Sequence, residues 1–166
     1  MSLERRVVTF TVEGLPQPKG STKAFVPKSW AMAAAALGRT PRAVTTSDNP
    51  KAANWQQLIA SQAQRAAAGE LFVGPVRVTV IFRLPRPASA PRRVVQHVTK
   101  PDIDKLARAC LDALTGIVFA DDRAVVELRA KKVFAIDHLP GADITVGDAA
   151  LPEPAHTSFD LFREEP

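Results

Sequence analysis

Apolar residues at Ile103, Leu106, Ala107, Cys110, Leu111 and Leu114 follow the i, i+3, i+4, i+7, i+8, i+11 spacing of one helical face, with Asp104, Arg108 and Asp112 on the other. A helix so divided must lay its apolar stripe on a partner surface. The rest of the chain supplies that surface. Val7–Val12 is β-branched and aromatic and runs into Gly14-Leu15-Pro16, which reads as a strand ended by a turn. Val76–Leu84 alternates apolar residues with Arg77, Thr79 and Arg83, as a strand with one buried face does. Two further strands are expected at Ala124–Ile136 and Ala142–Val146, joined by a turn around His138-Leu139-Pro140-Gly141. A second helix is expected from Lys51 to Ala68, started by Asp48-Asn49-Pro50 and stopped by Gly69. The segment from Pro16 to Pro50 reads as a long basic loop with a helical turn or two near Ala33–Ala36.

Strand, helix, strand, helix, strand, strand predicts an α+β fold: a single layered domain, with a mixed β-sheet of about four strands packed against two main helices. At 166 residues and 46% apolar content the chain has the material for one such core. The expected domain spans residues 1–147, and 148–166 read as a flexible C-terminal tail. A single cysteine, Cys110, excludes a disulfide framework and any multi-cysteine zinc site. No signal peptide or long apolar run suggests export or membrane insertion, so the expectation is a cytoplasmic protein without a membrane partner.

Charge is unevenly placed. Residues 1–100 hold 15 Lys+Arg against 4 Asp+Glu, whereas residues 101–150 hold 6 against 9. A basic body around an acidic centre suits a protein that binds a polyanion, provided a cation stands between the acidic groups and phosphate.

The acidic centre has two parts. Lys100-Pro101-Asp102-Ile103-Asp104 lies where a loop becomes a helix. Inside a helix, positions i and i+2 point apart, but a residue in the non-helical cap position can turn toward the second aspartate. Asp102 as N-cap and Asp104 as a first-turn complement to the helix dipole explain the same pair without a metal. The second part, Asp121-Asp122, follows the apolar return Thr115–Ala120 and precedes a strand, where a polar turn is the plain alternative. Mg²⁺ takes oxygen ligands, so Asp102, Asp104 and one of Asp121 or Asp122 would suffice to hold it. There is no P-loop, dinucleotide fingerprint or paired-histidine motif. His97, His138 and His156 read as surface loop residues, and Cys110 as core.

Taken whole, Lys100-Pro-Asp-Ile-Asp-Lys-Leu-Ala-Arg-Ala-Cys-Leu-Asp-Ala-Leu-Thr-Gly116, followed by Asp121-Asp-Arg-Ala-Val-Val-Glu-Leu-Arg-Ala-Lys-Lys132, resembles the RusA family of Holliday junction resolvases. The likeness extends more weakly to Gly14–Gly20, the Trp55 helix and the Gly74-Pro75 strand. It implies a homodimeric, Mg²⁺-dependent endonuclease, with Mn²⁺ as a substitute, that cuts branched DNA in recombination and repair. Asp102, Asp104 and Asp122 match the family's metal-binding catalytic residues, with Asp121 as a supporting carboxylate. The family has Asn after the second aspartate and Lys four residues after it. Here those positions hold Lys105 and Arg108. Arg108 keeps the charge but gives up a proton less readily than Lys. Its expected role is contact with phosphate or the transition state, against a plain helix-surface ion pair with Asp104. Lys19, Lys23, Lys28, Arg86, Arg92, Arg93, Lys100 and Lys105 are the candidate DNA contacts. The departures at Lys105 and Arg108 leave open a non-catalytic DNA-binding dimer, and branch geometry leaves open a nuclease for forks or flaps. In the tail, Ser158-Phe159-Asp160-Leu161-Phe162 is similar to peptides that dock on the sliding clamp, through Phe159, Leu161 and Phe162, with packing on its own domain or on the dimer mate as the alternative.

Overall fold

A computed structural model describes residues 6–20, 22–47, 49–91 and 93–149, with the backbone alone at 22–24 and 44–47. Its elements are β1 (Val7–Glu13), β2 (Thr22–Phe25), α1 (Lys28–Ala36), β3 (Val44–Ser47), α2 (Lys51–Ala67), β4 (Val76–Leu84), α3 (Ile103–Leu114), β5 (Val125–Phe134) and β6 (Gly141–Asp148). Four strands form one sheet in the order β1-β6-β4-β5, antiparallel except for the parallel β4–β5 pair. The α3 crossover joins that parallel pair, since parallel neighbours cannot be linked by a tight turn.

The period-two pattern sorts the faces. Val8, Phe10 and Val12 of β1 are in register with Val146, Ile144 and Ala142 of β6, which in turn face Val78, Val80 and Phe82 of β4. This side is covered by α2 and α3, and Trp55, Ile59, Leu106, Cys110 and Leu114 meet the sheet in one core. On the opposite side Thr9 and Thr145 share a hydroxyl contact at 3.2 Å, and Thr11 donates to Asp143 at 2.9 Å. The expected α+β sheet of four strands against two main helices is therefore the fold. Cys110 is core as expected, and burial pushes its thiol up to about 12.

Two expectations change. The basic stretch after Pro16 is not one loop: β2 and β3 pair antiparallel as a separate small sheet, with α1 between them. None of the residues of α1 is buried, so no amphipathic spacing marks it. Arg83, which reads as a solvent-facing strand residue, is only 9% exposed. Its guanidinium pairs with Asp143 and donates to the Leu139 carbonyl at 3.2 Å, which satisfies the buried charge. Among the described residues, no helix is long and apolar enough to cross a membrane. The tail motif at Phe159, Leu161 and Phe162, and His156, lie outside the described residues.

Candidate active site

Pro101 and the aspartate after it bring the chain into α3. The Lys100–Pro101 peptide is cis, and Asp102 takes the N-cap position with extended backbone angles, φ −71° and ψ 138°. Its carbonyl accepts the first helical hydrogen bond, from Leu106 N at 3.1 Å. Its carboxylate, however, accepts no capping bond. The helix-capping explanation of Asp102 thus fails at the side chain, which is left exposed. The nearest cation is Lys105, with Nζ 3.8 Å from Asp102 Oδ2 and both side chains about half exposed, a weak pair in solvent. Asp104 and Arg108 are exposed and, among the described residues, form neither a hydrogen bond nor an ion pair. The helix-surface pair between them is absent.

The segment before Asp102 is held from the sheet. Lys132, on the helix-covered face of β5, donates from Nζ to the carbonyls of Thr99 at 2.8 Å and Pro101 at 2.9 Å. Sequence reasoning assigned Lys132 no role. The only available signal was a lysine at a strand position whose neighbours on the same face, Ala130 and Phe134, are apolar.

The second acidic pair divides its labour. Asp121 caps the short 3-10 turn Asp122–Ala124, accepting from Arg123 N at 3.0 Å. The side chain of Asp122 is exposed and engages no described residue. In the second pair the freer carboxylate, Asp122, is thus the one that the resemblance makes a ligand.

The two pairs are not brought together within one chain. Asp102 and Asp104 stand at the start of α3, and Asp121 and Asp122 follow its C-terminus. The 12 residues of α3 span about 18 Å at 1.5 Å per residue. β5 then runs back toward the Lys132 tether. Consistently, no group of three or more His, Cys, Asp or Glu side chains among the described residues is placed to hold a metal ion.

Among the candidate DNA contacts, Lys28, Arg93 and Lys100 are exposed. Lys19 is tied to α3: its backbone N donates to Lys105 O at 2.9 Å, and its Nζ pairs with Asp112 at 2.6 Å. Arg86 donates to Pro91 O at 2.7 Å and lies 4.8 Å over the Phe134 ring. Arg92 and the side chain of Lys23 lie outside the described residues. His138 is exposed as expected, but His97 is not a surface residue. It is 7% exposed and packs on Phe134 with ring centroids 5.3 Å apart, because the loop carrying it folds over the end of β5.

A family model described as endodeoxyribonuclease RusA matches residues 27–147, most of the chain and both acidic pairs. The chain belongs to the RusA family. It is also 28% identical over 98 residues to the uncharacterized protein YqaN of Bacillus subtilis (strain 168), across 53% of this chain and 69% of that one. As a RusA endodeoxyribonuclease the protein is a hydrolase acting on the DNA of Holliday junctions, so branched DNA is its substrate class.

Proposed function

We propose that this RusA protein is a divalent-metal-dependent junction endonuclease whose active sites form only between two copies of the chain. Each site then takes Asp102 and Asp104 from one copy and Asp122 from the other, with Asp121 in support. The observation that carries this reading is the separation of exposed carboxylates, Asp102 and Asp104 from Asp122, by the length of α3. Hard oxygen donors of this kind suit Mg²⁺, or Mn²⁺ in its place, but one chain gathers too few of them.

The edge of the sheet supports the pairing. β5 is an edge strand, with Val126 64% exposed and Leu128 42% exposed. An uncovered apolar edge invites another strand. A two-fold partner adding its own β5 antiparallel sets the start of one strand beside the end of the other. Asp122, three residues before β5, then approaches the partner's Lys132 end, where that copy's Asp102 and Asp104 stand. Two such sites related by two-fold symmetry match two opposed strands of a four-way junction.

When bound, the metal supplies Lewis acidity to the phosphodiester and lowers the pKa of water. The chain's own cations do the rest. Lys100, Lys105 and Arg108 flank the carboxylates and offset phosphate charge, and Arg86, Arg93 and Lys28 extend the basic surface. Arg108 stabilises the departing charge without giving up a proton. The family's nuclease role in recombination and repair follows, and a cytoplasmic location is the simplest for it.

Mixing two inactive variants tests the arrangement. Asp102→Asn and Asp122→Asn proteins should each cut a synthetic junction about a hundredfold or more slower than wild type while still binding it. Unfolded and refolded together, they should regain nicking, because a mixed dimer holds one site with neither substitution. If mixed dimers form and stay as inactive as the separate variants, each site lies within one chain and the reading is wrong.

A further inference from the structure

Beside Asp102 the structure holds a hollow of about 560 Å³, within the size range of small-ligand pockets. Buried Pro16, Leu84 and His97 form its deep part, and exposed Lys100, Asp102 and Lys105 form its mouth. The deep part is largely apolar, and prolines, whose rings are rigid and present C–H faces on which an aromatic ring can pack, line the hollow. His97 adds an unmet requirement. Its Nδ1 is shielded from solvent and has no hydrogen-bond partner among the described residues, although buried polar groups ordinarily have one. The imidazole χ2 is a soft torsion, so the ring can turn that nitrogen toward an occupant.

A mouth carrying Lys100 and Lys105 next to a rigid, largely apolar interior with one unmet hydrogen-bonding group matches a nucleotide, which joins an anionic phosphate to a flat base with polar edges. Fully stacked bases in a duplex cannot reach such a site; bases at a branch point are the least costly to unstack. We infer that the hollow between the Leu15–Pro18 segment, the end of β4 and the His97–Asp102 segment receives one unstacked base flanking the scissile phosphate. It thereby fixes which phosphate lies at Asp102 and Asp104. This inference rests on the junction-endonuclease reading and adds a subsite to it.

The full-length protein and a synthetic four-way junction carrying 2-aminopurine at each nucleotide next to the cleaved phosphate provide the test, with Ca²⁺ replacing Mg²⁺. Withdrawal of one flanking base from its stack should raise its fluorescence at one position and leave the others near the free junction. Gln17 lines the same hollow and is neither a carboxylate nor part of the Lys132 tether, and Gln17→Trp fills the space. That variant should abolish the fluorescence rise and slow cleavage about tenfold, while junction affinity stays within about threefold of wild type. His97→Phe keeps the packing on Phe134 and removes the ring nitrogens. It should retain the fold and lose part of the rise. Unchanged fluorescence at every flanking position, or wild-type cleavage by Gln17→Trp, overturns the inference and leaves the endonuclease reading standing. No binding of the junction at all overturns both.

Discussion

Lys132 shows how one residue governs another from a distance. Its ammonium spans the Thr99 and Pro101 carbonyls, so the peptide immediately before Asp102 is fixed to β5. Residues that orient metal ligands without touching the ion are commonly worth 10–100-fold in metal affinity. Lys132→Met should therefore raise the Mg²⁺ concentration for half-maximal cleavage by about tenfold, with Lys132→Arg recovering part of it. A metal titration of cleavage checks this, and a merely structural role would lower thermal stability without moving the midpoint. Asp143 carries a pH effect of defined sign. Burial pushes its carboxyl up, but hydrogen bonds from Arg83 and Thr11 and the charges of Arg83 and His138 bring it below its ordinary value of 3.8. A lowered folded value favours folding while the group is ionised, so the contribution is complete above the ordinary carboxylate range. It disappears as the pH falls through the folded value. Asp143→Asn should be less stable than wild type at pH 7, and the difference should shrink below about pH 4, as read from denaturant unfolding at each pH.

At the scale of elements, what the sequence reveals depends on burial. α2, α3, β1, β4 and β6 each bury one side, so their apolar residues recur with the period of their backbone and are legible. α1 escapes because none of its residues is buried. Single contacts are hidden further. The orphaned ring of His97, the tether at Lys132 and the buried pair at Arg83 arise where distant segments meet, and no local spacing encodes them. The acidic motifs show both cases: Asp102-Ile103-Asp104 and Asp121-Asp122 stand out in the sequence, whereas their distance along α3 does not. Gly141 belongs to the hidden class as well. A Cβ there would collide with the Val12 backbone carbonyl of the neighbouring strand and stand 2.7 Å from Arg83 Nη2. Gly141→Ala should separate β1 from β6 and cost about 1–3 kcal/mol of stability, measurable by urea unfolding.

For the whole molecule, the proposed two-copy site makes assembly and activity inseparable. Val126 is exposed at β5 and distant from every carboxylate-bearing turn except that of Asp122. Val126→Lys places a charge on the edge without altering the core. It should leave the fold intact by circular dichroism, shift the protein toward monomer in sedimentation, and reduce cleavage at low protein concentration far more than at high. Equal inhibition at all concentrations would argue against the strand as the contact. The rigid length of α3 acquires a protective meaning from this. In the proposed arrangement, keeping the two halves of a cutting centre at opposite ends of a solitary chain would leave newly made protein harmless to the genome. Damage would then be confined to places where pairs of chains have already met, and, while most chains are single, the dose of active nuclease would rise with the square of its supply.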